Sequence, residues 1–148
     1  MKKALAVLIA LSMLLVAGQA MAAKVLTPET IEGAATVTAD WVKQNQGQVT
    51  VVDARKKGEY VEKHIPGAIN IPYKEKSAKS PDFDASQDKW NMSKYPSDKS
   101  TTIAVYCNGA KCWKSYKSVA RLVKAGYTNV KWLREGFPGW TDKGYPTE

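Results

Sequence analysis

The chain has 148 residues and a formal net charge of +8 at pH 7, a length that suits one domain with its own core. Its basic residues are scattered and lack the clustered arginines and aromatic residues of nucleic-acid-binding faces, so no nucleic acid partner is expected. One histidine and two nearby cysteines are too few ligands for a metal site, and no metal or other cofactor is expected.

The first 22 residues have the pattern of a secretory signal. A positive start at Lys2 and Lys3 precedes an apolar run over residues 4–17, and Ala20-x-Ala22 fits a signal-peptidase site. An apolar run of about 14 residues is short for a permanent transmembrane helix. We therefore expect residues 1–22 to be cleaved and residues 23–148 to form a single domain. That domain would be exported, to the periplasm of a two-membrane bacterium or outside the cell, with no stable membrane insertion after cleavage.

Capping and hydrophobic patterns predict the elements in the first half of the domain. One helix is predicted to start at residues 27–29, and a second at Thr38, ending near Gly47. The β-branched run over residues 49–52 predicts a buried strand that ends at Asp53. The remaining predictions are a short helix over residues 59–63, a turn over 64–67 and a brief strand over 68–71.

The second half begins with a polar connection over residues 73–100, with a turn of helix predicted near residues 87–94. A buried strand follows over residues 103–106, a helix over 115–125, a strand over 130–133 and a turn over 136–140. Strands that alternate with helices are typical of an α/β protein. The pattern therefore predicts a small doubly wound, mainly parallel sheet with helices on both faces.

Cys107 follows the predicted strand over residues 103–106 directly. Ligands of open parallel sheets bind beyond the carboxyl ends of the strands, where this cysteine lies. The small or flexible residues 108–111 would let backbone N–H groups turn toward its sulfur, and Lys111 and Lys114 add positive charge. Together with the helix dipole, these groups would favour the thiolate. The alternative is a buried structural cysteine.

The expected cradle around the sulfur and its substrate consists of residues adjacent in sequence to Cys107. They are Asn108, Gly109, Ala110, Lys111, Cys112, Trp113 and Lys114. Such a cradle would bind a small anion that arrives to react with the thiolate.

Six stretches, in this order and spacing, carry a family resemblance. They are Val51-Val52-Asp53-Ala54-Arg55, Glu59-Tyr60, His64-Ile65-Pro66-Gly67-Ala68-Ile69-Asn70-Ile71-Pro72, Val105-Tyr106-Cys107-Asn108-Gly109, Gly126-Tyr127-Thr128-Asn129-Val130 and Leu133-Arg134-Glu135-Gly136-Phe137-Pro138-Gly139-Trp140. Taken together they resemble the rhodanese homology domain, over residues 26–146. The resemblance implies the α/β fold described above.

The resemblance also implies a two-step sulfur transfer. Cys107 would take a sulfane sulfur from thiosulfate or a polysulfide or persulfide donor, and pass it to a thiol or cyanide. Asp53 and Arg55 match positions beside the catalytic loop, where we expect an ion pair that braces the loop more than direct chemistry. The expected partners are small sulfur-containing anions, thiol acceptors and an exported redox or sulfur-accepting protein. His64 and the tryptophans at 41, 90, 132 and 140 are expected to be structural.

The loop after Cys107 departs from the family pattern. It is longer than usual and has Trp113 instead of an arginine, which fits a bulkier sulfur donor and argues against phosphatase activity. Glu135-Gly136 also stands where the family usually has paired glycines. Cys112 is the other departure: it could resolve a Cys107 persulfide, release sulfide and leave a disulfide, or it could be an inert residue at the helix start.

Three functions fit these observations. The leading hypothesis is a sulfurtransferase that works through a Cys107 persulfide. The second is a thiol–disulfide enzyme using Cys107 and Cys112, although the pair lacks the Cys-x-x-Cys spacing. The third is a non-catalytic binding module or sulfur carrier that hands a persulfide to a partner protein.

Overall fold

The computed structural model describes residues 25–148, so the predicted signal at residues 1–22 lies outside the described residues. Five parallel strands form one sheet: β1 (Ala34–Thr36), β2 (Thr50–Asp53), β3 (Ile69–Asn70), β4 (Ile103–Tyr106) and β5 (Val130–Leu133). Their order is β1-β5-β4-β2-β3, with Asp53 beside Tyr106 where β2 and β4 end. The predicted α/β class with a parallel sheet is confirmed.

Helices cover both faces of this sheet. Residues 25–148 form four helices: α1 (Ala39–Gln44), α2 (Lys57–Glu62), α3 (Trp113–Lys124) and α4 (Gly136–Asp142). Helix α3 packs on one face, where Val119 and Leu122 meet Val105 of β4. On the opposite face, Val42 of α1 and Trp140 of α4 pack in one buried cluster with Ala104 of β4. Both faces are buried, which explains why β4 is apolar throughout rather than alternating.

The predicted helix at residues 27–29 is wrong. This segment is not helical, because its polar groups are satisfied by distant residues. The Thr27 N–H and hydroxyl both donate to the Ala110 carbonyl, at 2.8 and 2.9 Å, and Arg134 donates to the carbonyls of Thr27 and Pro28. Strand β1 follows instead. It is a half-exposed edge strand with no apolar pattern, and the sequence did not predict it.

The predicted turn at residues 136–140 is the start of α4. Pro138 is tolerated because it lies in the first turn, where its missing N–H has no intrahelical partner. Gly136 has φ +64°, and a Cβ there would collide with the Cys107 carbonyl oxygen and the Gly109 nitrogen. The Phe137 N–H donates to the Cys107 carbonyl at 2.8 Å, so the start of α4 is fitted against the loop after β4.

The polar connection between β3 and β4 is ordered by buried polar groups. Asp88 accepts hydrogen bonds from the Tyr73 hydroxyl and from Ser77, and Lys117 of α3 reaches the connection from a fully buried position. The Lys117 Nζ lies 3.0 Å from Glu75 and 2.9 Å from the Ser77 hydroxyl. Two short 3₁₀ turns, Ala85–Gln87 and Met92–Lys94, lie in the connection. No helix among residues 25–148 is long and apolar enough to cross a membrane.

Candidate active site

Cys107 lies at the point where the strand order of the sheet reverses. From β2 the chain continues outward to β3, whereas from β4 it continues in the opposite direction to β5. The carboxyl ends of β2 and β4 therefore border the crevice in which α/β sheets bind ligands. Cys107 follows β4 there and is 1% exposed.

Two donors from one residue contact the Cys107 sulfur. The Ser115 N–H, in the first turn of α3, lies 3.3 Å from Sγ, and the Ser115 hydroxyl oxygen lies 3.0 Å from it. The Trp132 indole N–H can only donate, and it lies 3.0 Å from the Ser115 oxygen. The Ser115 hydroxyl accepts that bond and has its own hydrogen free for the sulfur. This arrangement favours negative charge on Sγ.

Cys107 is joined to Cys112 by a disulfide, so the structure shows the oxidised form of the protein. The two Cα atoms are 6.3 Å apart, within the usual range for a disulfide. The chain has two cysteines, and both are in this bond. The thiolate that we expected at Cys107 therefore requires prior reduction.

Cys112 lies within reach of Cys107 because the loop between them curls back. Gly109 has φ +101°, and the Cys112 N–H donates to the Gly109 carbonyl at 2.9 Å. We expected the N–H groups of residues 108–111 to point at the sulfur. In the described structure the backbone N–H that bonds to Sγ belongs to Ser115, and that part of the prediction is wrong for this oxidised form.

The loop is anchored on both sides. The Asn108 side-chain amide donates to Glu59 of α2 at 2.6 Å, and the Ala110 carbonyl accepts the two bonds from Thr27. Burial alone would raise the pKa of Glu59, but hydrogen bonds from Asn108 and the Lys56 N–H outweigh it, so this pKa lies below its ordinary value. The loop conformation is therefore fixed by contacts outside the loop as well as by the disulfide.

The three remaining residues of the predicted cradle differ in position. Lys111 is exposed and Lys114 is half-buried, and the charge of Lys114 contributes to lowering the Glu59 pKa. Trp113 is 1% exposed and belongs to the core. Its indole N–H donates to the Val25 carbonyl at 2.9 Å, and its ring meets Tyr116 edge-on. The residue that stands in place of the family arginine is thus a packing residue.

Asp53 and Arg55 form a buried ion pair at the end of β2, with Nη2 and Oδ2 2.7 Å apart. Arg55 also donates to the Lys63 carbonyl and lies over the Phe137 ring, and the Tyr106 hydroxyl donates to Asp53 at 2.7 Å. Burial alone would lower the pKa of Arg55, but its bonds and charge interaction with Asp53 raise it. The guanidinium is occupied by internal partners, which fits the bracing role predicted for this pair.

Two clefts lie beside the loop. One, of about 200 Å³, is lined by Arg55, Glu59, Glu62, Lys63 and Phe137. The other, of about 320 Å³, includes Thr38, Ala110 and Arg134 in its lining. A larger cavity of about 410 Å³ is lined around Trp90 by residues remote in sequence from this loop. Within residues 25–148, no group of three or more His, Cys, Asp or Glu side chains could hold a metal ion.

Sequence reasoning missed Ser115 and the hydrogen bond of Trp132. The sequence predicts that Trp132 is a packing residue. Its ring is indeed buried, at 1% exposed, but the prediction did not include the hydrogen bond of its indole N–H. Ser115 sits eight positions after Cys107, in the first turn of α3. The position of a hydroxyl residue in the first turn of the helix that follows Cys107 could have suggested Ser115, whereas its bond to Trp132 has no local signal in the sequence.

Comparison with known proteins places these features in a family. Residues 38–143, more than half of the chain, match the family model described as the rhodanese-like domain. The chain belongs to the rhodanese-like domain family. Cys107 and its loop lie within the matched segment, as do Asp53, Arg55 and Ser115.

Two curated relatives are 32% identical to this chain. One is thiosulfate sulfurtransferase 16, chloroplastic, of Arabidopsis thaliana, aligned over 103 residues that cover 66% of this chain and 78% of the relative. The other is the HTH-type transcriptional regulator Rv0324 of Mycobacterium tuberculosis, aligned over 106 residues that cover 72% of this chain. That alignment spans only 40% of the regulator, so the similarity concerns one part of it.

Solved structures share the fold. The rhodanese-like domain of the Anabaena protein Alr3790 is 26% identical with a TM-score of 0.55, and the match covers 80% of each chain. The thiosulfate sulfurtransferase of Pseudomonas aeruginosa is 24% identical with a TM-score of 0.56, over 78% of this chain and 20% of that one. The Bacillus halodurans protein BH2092, also 24% identical, has a TM-score of 0.58 over 77% and 76% of the two chains. At 24% identity the likeness shows the fold alone.

Proposed function

We propose that this protein is a sulfurtransferase that moves sulfane sulfur through a persulfide on Cys107. The observation that carries the proposal is the pair of Ser115 donors on a buried Cys107 sulfur at the switch point of the sheet. Family membership and the similarity to a plant thiosulfate sulfurtransferase support it. A buried thiolate with two hydrogen-bond donors is an activated nucleophile, and the same donors suit the anionic persulfide that follows.

The reaction takes two steps once the disulfide has been reduced. In the first, the Cys107 thiolate attacks the outer sulfur of thiosulfate, the S–S bond of the donor breaks, and sulfite leaves with the electron pair. In the second, the nucleophilic atom of cyanide or a thiolate attacks the terminal sulfur of the persulfide. The Cys107–sulfur bond breaks, and the Cys107 thiolate is regenerated as the leaving group.

The charges near the loop favour a small anionic donor. Lys111, in the loop, and Lys114, in the first turn of α3, supply positive charge, whereas the Arg55 guanidinium is held by Asp53. The acidic side chains of Glu59 and Glu62 line the cleft on the Arg55 side and disfavour an anion there, so the two lysines are the charges that favour an anionic donor. We propose that thiosulfate and the longer polysulfides or persulfides are the donor classes, with thiols and cyanide as acceptors.

The test is intact-mass analysis of protein that has been reduced and freed of reductant, after exposure to thiosulfate and separately to polysulfide. Cys112→Ser protein should gain one sulfur atom and lose it again on adding cyanide. Cys107→Ser protein should gain none. If Cys112→Ser protein never gains sulfur, or Cys107→Ser gains as much, the sulfurtransferase proposal is wrong.

A second candidate is thiol–disulfide exchange, favoured by the Cys107–Cys112 disulfide itself. A thiol–disulfide enzyme would oxidise a dithiol substrate over many turnovers with an electron acceptor other than a sulfur donor. Turnover that needs thiosulfate or polysulfide would support the sulfurtransferase, and turnover without either would support this alternative.

We also propose that the protein acts after export, on the pattern of residues 1–22. Expression of the full chain in a two-membrane bacterium should give periplasmic protein whose mature N-terminus follows Ala22. An unprocessed chain retained in the cytoplasm would contradict this.

A further inference from the structure

We propose that Cys112 is the resolving thiol of the reaction. It would attack the persulfide on Cys107, release sulfide and leave the Cys107–Cys112 disulfide, which an external dithiol then reduces. This inference rests on the proposed persulfide at Cys107. It adds a second reacting residue, a different sulfur product and a class of partner.

The backbone of the loop brings the two sulfurs together. Cys112 is the N-cap of α3 with an extended backbone, φ −99° and ψ 112°, so its side chain lies outside the regular helix. The turn at Gly109 returns the chain toward Cys107, leaving 6.3 Å between the two Cα atoms. A thiol held this close reacts as an intramolecular group, with an effective concentration far above that of a free thiol.

Contacts outside the loop hold this curl in addition to the disulfide. Asn108 is held by Glu59, and Ala110 is held by Thr27. A disulfide between positions this close in sequence therefore adds little constraint to a loop that is already fixed. The bond is better explained as a state in a reaction than as a structural crosslink.

The two sulfurs have different surroundings, and this difference determines which sulfur of the disulfide an incoming thiolate attacks. The Cys107 sulfur is buried and bonded to both donors of Ser115. Cys112 is half-buried, so it is more accessible than Cys107, and its carbonyl oxygen lies 3.3 Å from the Cys107 sulfur. An incoming thiolate therefore reaches Cys112 more readily, and Cys107 leaves as the better stabilised thiolate. Reduction thus regenerates the nucleophile needed for the next sulfur transfer.

Atoms and electrons balance in each step. The Cys112 thiolate attacks the Cys107 Sγ of the persulfide and the Sγ–S bond breaks. The terminal sulfur leaves with the electron pair and takes up the proton that Cys112 released, so that it departs as hydrosulfide. The terminal sulfur is thereby reduced and the two cysteine thiols are oxidised to a disulfide. A dithiol then attacks Cys112, forms a mixed disulfide and closes its own disulfide, leaving both cysteines reduced. With thiosulfate as donor, the net products are sulfite, sulfide and the oxidised dithiol.

The reductant required is a dithiol, because its second thiol clears the mixed disulfide on Cys112. In the exported compartment that we propose, disulfides persist unless a protein dithiol reduces them. The partner class is therefore a thiol–disulfide protein facing the same compartment, and dithiothreitol is the probe for the test.

The test is a single turnover without external thiol. Wild-type, Cys112→Ser and Cys107→Ser proteins are reduced, freed of reductant under anaerobic conditions and mixed with equimolar thiosulfate. Sulfite, sulfide and protein mass are measured. Serine is a favoured N-cap residue, so Cys112→Ser should preserve the start of α3. Far-ultraviolet circular dichroism checks that it does.

We expect wild-type protein to release one equivalent each of sulfite and sulfide and to lose the mass of two hydrogens. Cys112→Ser should release sulfite, retain one added sulfur and release no sulfide. The rate constant of sulfide release should not depend on protein concentration, since the step is intramolecular. Dithiothreitol added after that release should reduce the Cys107–Cys112 disulfide and allow a second turnover.

Two results would overturn the inference in distinguishable ways. Wild-type protein that keeps the added sulfur and releases no sulfide would refute the resolving role while leaving the sulfurtransferase proposal intact. Absence of sulfite and of added sulfur in both wild type and Cys112→Ser would refute the persulfide itself, and the resolving role with it.

Discussion

The Trp132 indole N–H donates to the Ser115 hydroxyl oxygen at 3.0 Å, and that hydroxyl lies 3.0 Å from the Cys107 sulfur. Trp132 is in β5 and Ser115 is in α3, so the sheet and the helix jointly orient one hydrogen toward the Cys107 sulfur. This relay gives Cys107 its donor without using an arginine in the loop. It also links core packing to the chemistry of the site.

Ser115→Ala should slow sulfur uptake by Cys107. The variant keeps the backbone N–H but removes one hydrogen bond to a charged sulfur. Such a bond is worth about 1.5–3 kcal/mol, which corresponds to a decrease of about tenfold or more in the rate of sulfur uptake. The measurement is the pH dependence of alkylation and of sulfur uptake, made in the Cys112→Ser background. The alkylation midpoint should move to higher pH, because the thiolate has lost a donor.

Ser118→Ala is the matched control for that variant. Ser118 is in the same helix and is also buried, but its hydroxyl donates to the Lys114 carbonyl and does not contact the sulfur. It should leave the alkylation midpoint unchanged. Equal shifts in the two variants would show that Ser115 acts through general stability of α3.

Arg55→Leu should destabilise the fold by about 3 kcal/mol, because it leaves the buried Asp53 carboxylate without its cation. Removing the exposed Lys143–Asp40 pair by Lys143→Ala should destabilise the fold much less, because solvent screens an exposed pair. Urea unfolding of both variants measures the difference. Equal losses would contradict the account of Asp53 and Arg55 as a buried brace.

Asp88 should make the free energy of unfolding depend on pH in the acidic range. Burial would raise its pKa, but hydrogen bonds from Ser77, Tyr73 and the Lys76 N–H outweigh this and hold the pKa at about 2. A depressed folded-state pKa means that the ionised carboxylate stabilises the fold above its unfolded pKa near 4. That contribution, about 2 kcal/mol, is lost as the pH falls toward 2.

Urea unfolding between pH 5 and pH 2 tests this, with Asp88→Asn as the reference. The stability difference between wild type and variant should be largest at pH 5 and should shrink by about 2 kcal/mol toward pH 2. A difference that stays constant over this range would show that the carboxylate does not titrate as stated.

Gly136→Ala should disturb both stability and the Cys107 loop. A methyl group there meets the Cys107 carbonyl and the Gly109 nitrogen, in addition to the strain of φ +64°. Gly144→Ala is the control, because φ is +69° but nothing lies within 4 Å of an added Cβ, which leaves a strain cost of about 1–2 kcal/mol. Thermal unfolding and sulfur uptake should both be affected more in Gly136→Ala. Equal effects would contradict the close fit between α4 and the loop.

The part of the fold that the sequence predicts best is the centre of the sheet. Strands β2 and β4 come from continuous β-branched or apolar runs, and the position of Cys107 follows from the end of β4. Strand β1 was missed because an Ala-Ala-Thr edge strand has no apolar pattern, and its pairing with β5 is a long-range contact. The segment at residues 27–29 has a helix-start pattern that tertiary hydrogen bonds to Ala110 and Arg134 override.

The candidate site was predictable only in outline. The position of Cys107 after β4 and the ion pair of Asp53 and Arg55 follow from motifs in the sequence. The Ser115 and Trp132 relay depends on how α3 lies across β5, which no local pattern encodes. The approach of Cys112 to Cys107 depends on the curl at Gly109 and on the anchors at Glu59 and Thr27. Both anchors are distant from the loop in sequence.

The proposed sulfur transfer requires Cys107 to carry the sulfur as a persulfide. The most direct test is peptide mapping of reduced Cys112→Ser protein after reaction with thiosulfate isotopically labelled at its outer sulfur. We expect the label on the peptide that contains Cys107, removable by cyanide as labelled thiocyanate. Label absent from that peptide, or bound without being transferred to cyanide, would rule out the Cys107 persulfide as the transfer intermediate.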